Sequence, residues 1–249
     1  MSTRWKTLKR LYLPVLLATF AGATAMLLLY TPVEATMGPV QKIFYVHLPA
    51  AINAFLACLV CFLGGVGFLW QRKMKWDDLS AAAAKVAALM CTVVLVTGVI
   101  WGRAAWGQWW TWSPRLTFSL LLWLLYVVYL IVRPSIESRE RRAMISAVYA
   151  VAAFLDVPLV YLSVRLMPDI HPVSVEMDPA MKITLAVWFV PMSLLTVGLI
   201  AVFLAAATRR RLKRQQRREE ASWSLATPRE QGLRPGEDQV LQVARSGQP

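Results

Sequence analysis

The apolar residues of the chain fall into six long runs, at about 11–30, 46–70, 81–100, 117–132, 143–163 and 183–207, joined by short polar or charged connections. A helix rises 1.5 Å per residue, so about 20 apolar residues are needed to carry it across the hydrocarbon core of a bilayer. The pattern therefore predicts an all-α polytopic membrane protein with six transmembrane helices, filling residues 1–207. The run at 117–132 is the shortest of the six. The first run follows a basic start and contains Ala23-Thr24-Ala25, which resembles a signal-peptidase site. It continues apolar through Met26–Tyr30, however, and is expected to remain as an anchoring helix.

Composition agrees with this class: 57% of residues are apolar and only 16% are charged. The net charge of +13 could point to nucleic acid, but its distribution argues against that. Of the 27 Lys and Arg, 21 lie in residues 1–10, in the connections 71–80 and 133–142, and after Ala207. The alternate connections hold only Lys42, Arg103, Arg115, Arg165 and Lys182. This is the positive-inside asymmetry, which places both termini in the cytoplasm and the connection at 101–116 outside. Residues 208–249 read as a separate basic tail without an apolar period, touching anionic lipid headgroups near Arg209–Glu220 and disordered beyond. Lys85, inside the third span, is expected to snorkel.

Within the connection at 101–116 the sequence W-G-R-A-A-W-G-Q-W-W-T-W places Trp101, Trp106, Trp109, Trp110 and Trp112 in twelve residues, five of the 11 Trp in the chain. An interfacial aromatic belt supplies one or two Trp per helix end. A cluster that fills the loop suits a large planar ligand instead. The only two histidines fall on the same side: His47 in F-Y-V-H-L-P-A-A at the mouth of the second span, and His171 in P-D-I-H-P between the fifth and sixth. Neutral imidazole is a good axial ligand for haem iron, and two can make a six-coordinate site. Arg103 and Arg115 bracket the Trp run and can bond the propionates of haem bidentately, with Arg165 behind them. Contact with lipid phosphate is the alternative for each arginine. No Cys or carboxylate cluster at ligand spacing accompanies the histidines, so zinc is not expected.

The run W-G-x-x-x-W-G-x-W-W-x-W-x-x-R-L-T, with Y-V-H-L-P-A-A upstream and H…V-E-M-D-P-A-M downstream, resembles the CcmC family of haem exporter proteins. The likeness covers roughly residues 10–205. It implies a protein that binds haem b at the periplasmic face of a bacterial inner membrane and presents it to a CcmE-like haem chaperone in cytochrome c maturation. It also implies work beside a CcmD-like small membrane subunit and the CcmA–CcmB ABC transporter. On this resemblance His47 and His171 match the axial ligands, and the five Trp match the haem-binding loop.

Two positions depart from the family pattern. The Asp of its motif is replaced by Ser113, which precedes Pro114. Ser at the N-cap and Pro at the first helical position are strong helix-start signals, so Ser113 is expected to cap the fourth helix through its hydroxyl. Before His171, where aromatics are expected, stand Leu166-Met167. Pro49 is expected in the first turn of the second helix.

The remaining signals are weaker. Cys58-Leu59-Val60-Cys61 has redox spacing but sits within an apolar span, where buried thiols pack. Asp156, an ionisable group inside the fifth span, is a candidate for function by that fact alone. It could orient a ligand, lie on the haem route, be protonated or bond to Asn53. No phosphate loop, nucleophilic triad or catalytic carboxylate pair is present, so no catalytic residue is assigned and ATP hydrolysis falls to a partner. A cytochrome c synthase of the same Trp-motif class, or a small-molecule transporter subunit, are the competing readings. With two histidines in all, the chain lacks the residues for a second bis-His site within the membrane.

Overall fold

The computed structural model describes residues 3–171 and 175–226, with side chains over 10–171 and 175–223. Among them there are seven α-helices and no strand: α1 Thr3–Leu29, α2 Phe44–Gln71, α3 Met74–Trp106, α4 Pro114–Val132, α5 Arg139–Phe154, α6 Asp156–Leu166 and α7 Pro179–Ala226. Short 3-10 turns at Pro39–Ile43 and Arg133–Ser135 lead into α2 and out of α4. Six segments are long and apolar enough to cross a membrane, one for each predicted run. The fifth is built from two helices.

The observed helices outrun the apolar cores that predicted them, because polar and charged residues such as Lys75, Asp77 and Asp78 in α3 or Arg139–Arg142 in α5 are compatible with a helix. α3 starts at Met74 and ends only where Gly107 turns left-handed at φ 73, its N–H bonding the Arg103 carbonyl at 3.1 Å. Trp101–Trp106 are therefore helical, and the loop expected over 101–116 shrinks to the stretch between Gly107 and Ser113. Pro49 sits more than a turn inside α2, because the helix begins at Phe44. There its missing N–H leaves the Tyr45 carbonyl without its helical donor.

Packing is close where residues are small, as in membrane bundles generally. A Cβ on Gly64 of α2 would stand 2.8 Å from the Ser80 amide of α3, and one on Gly65 would stand 2.9 Å from the Ala147 carbonyl of α5. Adjacent glycines thus bring α2 against two neighbours at once, and the largest apolar cluster grows from there through Ala50, Ala54, Ala57, Ala83, Ala84 and Ala87. Cys58, Cys61 and Cys91 are buried free thiols; Ser80 Oγ donates to the Cys61 carbonyl at 3.0 Å and lies 3.3 Å from its sulfur. At the end of the bundle away from Trp101–Trp112, Arg133 pairs with Asp77 at 2.5 Å. Lys85 packs its ammonium 5.1 Å from the Phe203 ring centroid. α1 meets α7 through Phe20 against Trp188 and through a Tyr12 hydroxyl donated to the Leu194 carbonyl, and Thr31, just beyond α1, lies 2.8 Å from Thr184. Between α1 and α2, the Glu34 carboxylate accepts the Thr36 and Met37 amides, which hold its carboxyl below the usual carboxylate range.

The chain divides into a unit Met1–Ala207 and a second unit from Thr208. In the second unit the charged stretch Arg209–Glu220, expected in an irregular tail, is helical as part of α7. The expectation of disorder farther on falls at 227–249, outside the described residues.

Candidate functional site

Between α2, α3, α4 and α6, at the end where α3 carries Trp101 and Trp106, lies an apolar cavity of about 340 Å³. His47, Trp101, Trp106, Trp110, Arg115 and His171 all line it. The two histidines, 124 positions apart in sequence, thus share one chamber. Its volume lies in the ordinary range for small-molecule sites, roughly 300–1,000 Å³.

His47 is held from behind. Its Nδ1 lies 2.9 Å from Thr97 Oγ1 on α3. The Thr97 hydroxyl proton is already committed to its own helix, to the Val93 carbonyl at 2.6 Å. The threonine oxygen must then accept, so His47 carries its proton on Nδ1 and keeps the lone pair on Nε2. This is the arrangement in which a histidine's second nitrogen fixes the ring for ligation. Gly98 supplies the room, since a Cβ there would stand 3.2 Å from His47 Cε1.

His171 is held by aromatic surface and by charge. Its ring centroid lies 6.3 Å from that of Trp101 and 6.2 Å from that of Trp106, and the two indoles meet edge-on at 5.3 Å. Trp101 is itself anchored, its Nε1 donating to the buried Gln41 at 3.3 Å. Arg115 Nη1 lies 3.4 Å from His171 Nδ1, and Nη2 donates to the Tyr161 carbonyl at 3.3 Å.

Asp169 ties these parts together: one carboxylate oxygen accepts the Arg115 amide at 2.8 Å and the other accepts the His171 amide at 2.8 Å. The first of these bonds caps α4. Ser113 does occupy the N-cap, at φ −64 and ψ 154, but its hydroxyl makes no capping bond, contrary to the sequence expectation. The Asp169 carboxylate supplies the acceptor instead, from a loop 56 positions downstream of Ser113.

Not every expected residue reaches the cavity. Gly107 turns the chain so that Trp109 and Trp112 point outward, 61% and 73% exposed, with Trp112 edge-on to Trp110. Arg103 bonds the Gly107 carbonyl and stacks on Trp109, 5.7 Å from its centroid. It closes the end of α3 and does not line the chamber. Arg165 lines it and stacks on Tyr161 at 4.4 Å. Leu166 and Met167, in place of the aromatics expected there, are solvent- or lipid-facing, and α6 contributes Val160, Tyr161 and Val164 as the wall. Asp156, one helical turn before Val160, is 4% exposed with neither carboxylate oxygen bonded. Asn53 turns elsewhere, to the Pro49 carbonyl at 2.9 Å and Ser193 at 3.4 Å. Among the described residues, no group of three His, Cys, Asp or Glu could hold a metal ion.

Thr97, Gly98, Gln41 and Asp169 were not marked by sequence reasoning. Asp169 two residues before His171 is a readable turn signal, since Asp side chains accept their own backbone N–H two residues on. Its bond to α4 had no local signal.

Fold and site together define a polytopic membrane protein whose helices frame an apolar chamber carrying two imidazoles and a guanidinium beneath clustered tryptophans. Within that class, the chain belongs to the CcmC family: the family model described as "Heme exporter protein C" matches residues 2–225. It is 31% identical over 198 residues to "Heme exporter protein C" of Paracoccus denitrificans, covering 78% of this chain and 82% of that one. The protein of the same name from Escherichia coli K12 is 30% identical over 199 residues, covering 72% and 81%. That of Bradyrhizobium diazoefficiens is 31% identical over 229 residues, covering 86% of each chain.

Proposed function

We propose that this protein binds haem b as cargo in the chamber beneath the Trp residues and hands it on during cytochrome c maturation. Haem iron would sit between His47 and His171, with the porphyrin against Trp101, Trp106 and Trp110 and a propionate on Arg115. The observation that carries this reading is that the only two histidines of the chain line one apolar cavity with an arginine in its wall. The donor set suits the ligand: imidazoles for iron, indoles for a flat macrocycle, guanidinium for carboxylate. Trp109, Trp112 and Arg103 form an outer rim rather than the binding wall. Charge asymmetry supports a periplasmic site in a bacterial inner membrane. Family membership supports delivery to a CcmE-like chaperone, with a CcmD-like subunit and a CcmA–CcmB transporter as neighbours. Two-imidazole ligation supplies a coordinatively saturated iron, which restrains oxygen chemistry while the cargo waits.

The test is the visible spectrum of the full-length chain titrated with haem. Wild type is expected to give a six-coordinate low-spin species. His47→Ala and His171→Ala are each expected to convert it to five-coordinate or to abolish binding. An unchanged Soret band in both variants overturns the assignment.

A further inference from the structure

We propose that Arg115 is a carboxylate-operated latch on His171: its guanidinium occupies the imidazole lone pair that iron needs, and surrenders it when a carboxylate of the cargo arrives. The inference rests on the haem reading above. A neutral imidazole has one ring N–H and one ring lone pair, whereas a guanidinium has five donors and no acceptor. The Arg115 Nη1 to His171 Nδ1 contact therefore engages the His171 lone pair. As long as it stands, guanidinium and iron compete for the same electrons.

The two histidines differ on this point. At His47, Thr97 accepts a proton and leaves Nε2 open, so that ring is set to ligate from the start. At His171 the partner donates, so that ring is blocked.

The block is weak, as a latch must be. Arg115 bonds His171 at 3.4 Å and the Tyr161 carbonyl at 3.3 Å, both at the long limit, and its Nε is buried with no partner. A carboxylate would add a negative charge opposite this fork and accept from it bidentately, in shorter bonds of about 2.7–2.9 Å. Release also asks nothing of the backbone. Asp169 holds the Arg115 and His171 amides at 2.8 Å each, so only the guanidinium needs to turn. No proton changes hands: the guanidinium stays charged, and the lone pair it leaves is the one that binds iron. The consequence is an order of events. His47 takes the iron first, and His171 closes on it only for cargo that carries a free carboxylate.

The test compares ferric protoporphyrin IX with its dimethyl ester, which keeps the iron and the ring but lacks free carboxylates. Both are added to the full-length chain in detergent and read by absorption and electron paramagnetic resonance. In wild type the free acid is expected to be six-coordinate low-spin and the ester five-coordinate high-spin. In Arg115→Ala the latch is gone, so the ester is expected to become six-coordinate, while free-acid affinity falls roughly tenfold to a hundredfold through loss of the carboxylate bonds. A six-coordinate ester complex in wild type overturns the latch. So does an ester that stays five-coordinate or unbound in Arg115→Ala. If wild type gives no six-coordinate species with the free acid itself, it is the two-histidine reading that fails.

Discussion

Thr97→Val removes one hydroxyl and replaces it with a methyl group of nearly the same shape. In the native chain that oxygen accepts the His47 Nδ1 proton at 2.9 Å while giving its own proton to the Val93 carbonyl at 2.6 Å. The second bond is dispensable, since that carbonyl also serves the helix ladder. The first is not, because it decides which His47 nitrogen keeps a lone pair. Without the acceptor the partly buried ring has two options. It can leave Nδ1–H unsatisfied, at about 1–3 kcal/mol, or move the proton to Nε2 and lose the ligand. Removal of an outer-shell partner of a ligating histidine costs roughly tenfold to a hundredfold in affinity, about 1.4–2.8 kcal/mol. The two estimates coincide, so haem affinity of Thr97→Val is expected to fall by that factor, and Thr97→Ser, which keeps the oxygen, is expected to restore most of it. The assay is a haem titration followed at the Soret band with dissociation constants for all three proteins. Affinity in Thr97→Val within twofold of wild type, or a Thr97→Ser protein as weak as Thr97→Val, would refute the tautomer argument.

Three further outcomes are expected. Asp169→Ala removes the cap of α4 and the tie to the His171 amide, so thermal unfolding should drop by about 1 kcal/mol or more and the haem spectrum should gain a five-coordinate fraction; an unchanged spectrum would mean His171 is positioned by other contacts. Arg103→Ala breaks a helix-end bond and an exposed stack worth about 0.5–1 kcal/mol, so it should lower stability slightly and leave haem affinity within about twofold, as a titration beside Arg115→Ala can show. Asp156→Leu replaces a buried carboxyl that has no bonding partner, whose burial costs about 1–3 kcal/mol, so its Tm in detergent should rise; a fall would reveal a partner for those oxygens.

The six spans were legible in the sequence because burial in lipid demands long apolar runs, a one-dimensional property that leaves little choice of topology. His47, His171 and Arg115 were legible as chemistry because their residue types are rare in such a background. Where helices end was less legible: α3 runs on past Ile100 and through Gly102, and stops where Gly107 takes the left-handed turn. That single turn decided which tryptophans face the chamber and which face out, and took Arg103 away from it. The capping of α4 was beyond local reading altogether. Ser113 has the right chemistry in the right place, yet the bond goes to Asp169, a choice made by the tertiary approach of two loops. Thr97 escaped notice for a similar reason, since its value depends on which helix α2 faces at His47.

The division of the fifth span into α5 and α6 has a mechanical consequence. Leu155 closes α5 with a bond to the Ala152 carbonyl at 3.1 Å, and Pro158 brings no N–H to carry the ladder across. The chamber wall formed by Val160, Tyr161 and Val164 is therefore joined to α5 by a broken ladder, and is held to α4 instead, through the Tyr161 carbonyl on Arg115 and through Asp169 just beyond α6. With 11 residues α6 is about 16 Å long. A tilt of about 10° at its base moves its far end, where Arg165 stands, by about 3 Å on that length. That distance is close to the thickness of a flat aromatic ring, so a rotation of that size at the α5–α6 joint would change the width of the chamber by about one ring.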